Sequence, residues 1–178
     1  MRGLYFEEFA VGMRFDHART RTITEWDNMQ LSMMTMNPQP LHIDAHLAAA
    51  TEFGRPLVNS LFTLGLMIGI SVDDTTLRTT IANLGMREVL FPAPVFQGDT
   101  LHVRTEVLSL RASASCPLAG IVEFRHIAYN QDDVEVARCT RSAFMHRQPA
   151  RSPRGPGSLF RATAPARSNA RCRARPTP

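Results

Sequence analysis

An α+β domain, an antiparallel sheet wrapped around one central buried helix, is the fold class that three features of this sequence predict. Residues 57–72 form an apolar run with only Asn59, Ser60, Thr63 and Ser71 as polar interruptions, which reads as a helix buried on nearly all sides. Four runs of strand length follow, at 81–91, 100–110, 119–129 and 133–144, parted by turn residues at Pro92-Ala93-Pro94, Gly98-Asp99, 113–117 and Asn130-Gln131-Asp132. Several strands in succession after a buried helix give one sheet layer against it. With 178 residues and an apolar fraction of 44%, the chain suits one domain with a substantial core.

The elements ahead of the long helix follow from local signals. Residues 5–12 read as an irregular lead-in, and 13–23, where alternation meets the β-branched Thr20, Thr22 and Ile23, as a strand. Thr24 with Asp27 three residues on has the form of a capping box, so 25–36 reads as a helix that ends at the Asn37-Pro38 break. Its methionines are expected to fill core space, the usual employment of a flexible thioether. A short helix over 44–51 leads to the Gly54-Arg55-Pro56 turn, and Pro56 suits the first position of the long helix. The domain is taken as residues 1–146. From 147 on the chain is mostly Arg, Pro, Ser, Ala and Gly with one Phe and one Leu, too little apolar surface to offset ordering entropy, so 147–178 is expected to be a disordered tail.

Charge and cysteine usage narrow the function classes. The formal charge is +4, yet residues 1–146 carry 12 arginines against all 16 acids, and 147–178 hold the other eight arginines and no acid. The basic pI of 9.6 therefore arises in the tail, and a nucleic-acid partner is not indicated. Cys116, Cys139 and Cys172 are odd in number and lack C-x-x-C spacing, so neither a disulfide framework nor a zinc ribbon is indicated, and a reducing, cytoplasmic compartment fits. Glu7 and Glu8 stand where a signal peptide keeps its apolar run, and no apolar run reaches the roughly 18 residues of a membrane span.

Polar groups suited to chemistry gather just before the long helix. Asn37, His42 and Asp44 lie on a segment stiffened by Pro38 and Pro40, which fix their own φ and push Asn37 and Gln39 toward extended conformations. Asn59 and Ser60 fall in the first turn of the long helix, where unpaired backbone N–H groups favour a developing negative charge. His42 and His46 stand four apart, but Ile43 occupies the place of the Glu in H-E-x-x-H and no third ligand is marked, so no metal is expected. A glycine-rich phosphate loop and a G-x-S-x-G elbow are both absent from the sequence.

Pro40-Leu41-His42-Ile43-Asp44, Gly54-Arg55-Pro56, Asn59-Ser60 and Pro94-Val95-Phe96-Gln97-Gly98-Asp99-Thr100-Leu101 occur in this order. Over 5–146 they resemble the motifs of the MaoC-type, hot-dog-fold enoyl-CoA hydratases that make or use (R)-3-hydroxyacyl-CoA. The resemblance implies a single hot-dog domain, an acyl-CoA substrate without further cofactor, and a homodimer or higher assembly whose acyl-CoA tunnel both protomers line. In the family pattern an Asp stands at Asn37, an Asn at Gln39, and a His-Gly step at Asn59-Ser60. The Asn-x-x-Pro-Leu-His form is similar to hydratases acting on branched or dicarboxylic acyl-CoAs such as mesaconyl-CoA and itaconyl-CoA.

Hydration of an α,β-unsaturated thioester needs a base for the water attacking C3, an acid for C2, and donors for the thioester oxygen as it becomes enolate-like. The resemblance makes His42 the main base, with Asn37 positioning water or the thioester and the Ser60 N–H, beside Asn59, polarising the carbonyl. Asp44 is the nearby carboxylate that could orient the imidazole, and Arg55 a group for a substrate carboxylate or CoA phosphate. Each residue also has a plain structural reading: His42 as a hydrogen-bonding post, Asp44 as a helix N-cap, Asn59 and Ser60 as helix-terminus partners, Arg55 as a turn residue. Two rival functions share the fold, an acyl-CoA thioesterase and a non-catalytic acyl-CoA-binding protein, the latter suggested by the missing carboxylate at position 37.

Overall fold

In the computed structural model, which describes residues 2–149, a six-stranded antiparallel sheet packs around one long helix. A 3-10 turn, Phe6–Glu8, precedes β1 (Arg14–Asp16) and β2 (Arg21–Thr22). Three helices, α1 (Glu25–Met34), α2 (Pro40–Ile43) and α3 (Ala45–Ala49), lead to α4 (Ser60–Thr75). The long strands β3 (Thr80–Leu90), β4 (Thr100–Ala112), β5 (Ala119–Tyr129) and β6 (Glu135–His146) follow. The strand order is β1-β4-β5-β6-β3, β2 also pairs with β4, and all pairings are antiparallel. The expected sheet around a helix is therefore present, and the Arg/Pro-rich stretch expected as a tail lies, from 150 on, outside the described residues.

Strand alternation decides which sheet face meets α4. Leu101, Val103, Thr105 and Val107 of β4, Val122, Phe124, His126 and Ala128 of β5, and Ala137, Cys139, Arg141, Ala143 and Met145 of β6 are all buried. Met67 and Ile70 of α4 join Leu101, Val103, Ala128 and Ala137 in one core cluster, to which Ile23 and Val58 also belong. Phe9, Val107, Val122, Phe124, Ala143 and Met145 form a second.

A buried polar layer separates the two clusters. His17 Nδ1 lies 2.8 Å from Asp74 Oδ2 near the end of α4, and His17 Nε2 lies 2.8 Å from Thr105 Oγ1. The same hydroxyl is 2.8 Å from His126 Nδ1. His126 Nε2 and Arg141 Nε are buried without a hydrogen-bond partner among the described residues. Burial, then the neighbouring Arg141 and His17, hold the His126 imidazole neutral far below the usual histidine range.

Several local expectations are corrected. The strand expected over 13–23 is two short pieces at the edge of β4, parted after His17, whose side chain turns inward to Thr105 while its N–H still donates to the Val103 carbonyl of β4. The long helix starts at Ser60 rather than near Pro56. Leu57 and Val58 are held extended against Phe96 and Val95, and Asn59 then caps the helix. One side of α4 is open in the protomer, with Leu61 at 60% exposure and Gly65 and Gly69 exposed in the same stripe. The α1 methionines are not core filler: Met29, Met33 and Met34, with Met36 just beyond, face outward, and Asn28 and Ser32 are the buried residues of that helix. Pro40–Ile43 forms one helical turn that was not anticipated. Cys139 is a free buried thiol.

His126 makes stability fall with acid. Its folded pKa lies below the unfolded value near 6.5, so the unfolded chain binds a proton first and stability is lost as pH drops below about 6.5. The slope from this group reaches about 1.4 kcal/mol for each pH unit. Urea unfolding at neutral pH and at mildly acidic pH should show that loss, and His126→Leu should flatten it; an equally steep loss in the variant removes His126 as the cause.

Candidate active site

The site forms where α1, α2 and the start of α4 meet. Gln39 precedes α2, and Pro40 takes the first helical position, where its missing N–H costs nothing. This single turn carries His42, whose N–H donates to the Gln39 carbonyl at 3.1 Å. The imidazole is half-buried, and its Nδ1 lies 2.8 Å from the Leu57 carbonyl oxygen. A carbonyl only accepts, so in the neutral ring Nδ1 carries the hydrogen and Nε2 keeps its lone pair. That is the tautomer of a base.

Asn59 stands at the N-cap of α4, 3% exposed, with Oδ1 accepting the Leu61 N–H at 3.0 Å. The Asn59 carbonyl takes the N–H groups of Phe62 and Thr63. Among the described residues the Ser60 N–H, at the first helical position, is left without an acceptor, at the positive end of a long helix dipole. Ser60 also lines a cavity of about 270 Å³ with Phe53, Leu57, Thr63, Phe91 and Val136. Leu57 thus borders the cavity with its side chain and holds His42 with its carbonyl.

The other expected residues fall around this centre. The Oδ1 of Asn37 accepts the Gln39 N–H at 3.1 Å, and its own N–H reaches the Ser32 carbonyl at 2.8 Å. Asp44 caps α3, its Oδ1 accepting the Leu47 N–H at 2.9 Å. The imidazole is therefore oriented by the Leu57 carbonyl, while Asp44 holds the corner between α2 and α3. Arg55 follows Gly54, whose φ of 66° suits the glycine. Its guanidinium sits 3.9 Å over the Phe96 ring, and Phe96 packs against Phe53 of the cavity wall.

Two residues escaped the sequence analysis. Asn28 is fully buried and bonds to His42, Leu57 and Asn59. Ser32, one turn later, places its Oγ 3.3 Å from Asn59 Nδ2. Their spacing was a signal, because two small polar residues four apart share one helix face. Among the described residues no group of three or more His, Cys, Asp or Glu is arranged to hold a metal ion.

The MaoC like domain family matches residues 7–118, and the chain belongs to that family. It is 30% identical over 151 residues to the beta-methylmalyl-CoA dehydratase of Chloroflexus aurantiacus, covering 85% of this chain and 42% of that protein. It is 26% identical over 151 residues to the mesaconyl-CoA hydratase of Cereibacter sphaeroides, covering 85% of this chain and 43% of that one. The chain thus spans less than half the length of these relatives. A Mycobacterium tuberculosis protein with a double hot-dog fold superposes with a TM-score of 0.75 at 30% identity, over 92% of this chain and 52% of that one. The fold is the hot-dog fold that the sequence motifs implied.

Replacing Asn59 with Ala removes the cap and the tie to Ser32 together. A loss of about 1–2 kcal/mol in unfolding free energy is expected from equilibrium urea denaturation; no measurable loss would show that α4 begins without help from this side chain.

Proposed function

We propose that the chain is a hydratase/dehydratase that adds water reversibly across the double bond of a short enoyl-CoA, branched and dicarboxylic acyl groups included. The observation that carries the reading is the His42 imidazole with its Nδ1 hydrogen committed to Leu57, which leaves Nε2 as the base. The family and the relatives named as a beta-methylmalyl-CoA dehydratase and a mesaconyl-CoA hydratase support it.

His42 Nε2 takes a proton from water as its oxygen attacks C3. The Ser60 N–H stabilises the enolate oxygen, and the imidazolium returns the proton to C2, so that one water is added in balance. Asn37, with Oδ1 occupied by Gln39, has its Nδ2 hydrogens left to hold the water oxygen, but it cannot take the proton as a carboxylate would. Asn59 fixes the helix start, Asp44 fixes the corner that carries His42, and Arg55 attracts a substrate carboxylate or CoA phosphate. The apolar cavity beside Ser60 suits the hydrocarbon part of the acyl group.

We also propose a homodimer or a higher homo-oligomer. Among the described residues β3 pairs only with β6, leaving its other edge open, and it exposes Leu84, Met86 and Leu90 with Phe91 beyond. The open stripe of α4 at Leu61, Gly65 and Gly69 offers a second surface for another copy. Among the described residues no helix is long and apolar enough to cross a membrane, and a cytoplasmic site of action fits an acyl-CoA substrate. A non-catalytic acyl-CoA-binding protein is the second reading, favoured by the amide at position 37.

Incubation with crotonyl-CoA, mesaconyl-CoA and itaconyl-CoA, followed by product mass, tests the activity. Gain of one water is expected, with at least about a hundredfold lower kcat in His42→Ala. Free CoA release instead would identify a thioesterase, and tight binding without turnover would establish the binding protein. Sedimentation velocity tests the assembly: a dimer or larger species that Met86→Glu shifts toward monomer is expected, and a monomeric wild-type protein overturns the proposal.

A further inference from the structure

We propose that Asn28 is a positioning residue of the site, its buried amide locking the His42 turn, the Leu57 carbonyl and the N-terminus of α4 into one rigid unit. Its kinetic consequence rests on the hydratase reading; its structural consequence does not.

The geometry uses the whole amide. Nδ2 donates to the His42 carbonyl at 2.9 Å and to the Leu57 carbonyl at 3.1 Å, while Oδ1 accepts the Asn59 N–H at 2.8 Å. Two carbonyls and one N–H around the group admit only one orientation of the amide. Asp would repel both carbonyls, and an apolar residue would leave the His42 carbonyl and the Asn59 N–H without this partner and the Leu57 carbonyl with His42 Nδ1 alone. Asn28 is 0% exposed, so in the native protein its amide is shut off from bulk water.

The consequence reaches the reacting groups through Leu57. That carbonyl accepts from Asn28 Nδ2 and from His42 Nδ1 at once, so both of its lone pairs are used. The imidazole is thereby left one tautomer and one direction. The same side chain fixes Asn59, whose carbonyl and cap set where the Ser60 N–H points. Base and oxyanion donor are thus tied to one amide on α1. Ser32 extends the tie, touching Asn59 through its hydroxyl and Asn37 through its carbonyl. The inward face of α1 therefore braces all three chain segments of the site, although α1 supplies no reacting group.

The test uses full-length protein carrying ¹⁵N-histidine and ¹⁵N-asparagine labels. In the wild type the neutral His42 ring should be the Nδ1–H tautomer, and the Asn28 side-chain amide hydrogens should exchange slowly with solvent. Asn28→Asp and Asn28→Ala should release His42 into a mixture of tautomers. They should lower kcat by about 10–100-fold and leave KM within about threefold, the pattern of lost positioning rather than lost binding. Folded variants with unchanged His42 signals and kcat within about twofold overturn the proposal. An Nε2–H tautomer or fast-exchanging Asn28 amide in the wild type also overturns it, which decides the matter even if both variants fail to fold. A wild-type protein without turnover on any acyl-CoA would remove the hydratase reading, while the tautomer and exchange measurements still judge the clamp.

Discussion

The apolar surface of α4 has to be removed from water, and the rest of the chain is arranged to do it. Three long strands present their alternate residues to that helix, and the N-terminal segment covers the rest of the same sheet face with Phe9 and its neighbours. Once Met67 and Ile70 are seated, the start of the helix has little freedom. Leu57 and Val58 must run extended beside Phe96 and Val95, so the first turn falls at Ser60 and its cap Asn59 is pressed into the interior. The place of the Ser60 N–H, the proposed oxyanion donor, is a consequence of how the helix packs.

Polar groups enter this interior in two ways, with different physical outcomes. Around Asn28, every donor and acceptor of the amide is answered by backbone, and such a fully satisfied network rigidifies its surroundings. Around His126 the account is incomplete: Nδ1 bonds the Thr105 hydroxyl, while Nε2 and the nearby Arg141 Nε have no partner among the described residues. A neutral imidazole beside a buried guanidinium tolerates this arrangement at neutral pH, and an added proton would face both a low dielectric and like charge. The clamp therefore serves geometry, and the layer between the two core clusters ties stability to pH.

The open edge of β3 and the exposed stripe of α4 belong to the same logic. The β3 edge exposes Leu84, Met86 and Leu90 and the α4 stripe exposes Leu61, and the proposed homo-oligomer rests on these apolar surfaces. The exposed methionines of α1, with Met36 just beyond it at 89% exposure, mark a third apolar surface close to Asn37.

What the sequence by itself determined is what local chemistry controls. The Thr24 cap with Asp27 set the start of α1, and Asp44 that of α3; β5 runs over Ala119–Tyr129 as read. The Pro-Leu-His-x-Asp and Asn-Ser motifs were legible because family motifs are contiguous in sequence. Tertiary structure decided the rest. Periodicity cannot tell which face of α1 turns inward when that face is polar, so Asn28 and Ser32 went unread and the methionines were assigned to the core. Likewise, the partner of His42 is a carbonyl fifteen residues away rather than the carboxylate two residues away, and His17, just beyond β1, and His126 of β5 meet at the Thr105 hydroxyl of β4. Backbone carbonyls carry no residue identity, and hydrogen bonds between distant segments leave no spacing in the sequence. Only packing of α4 against the sheet brings those atoms within reach of one another.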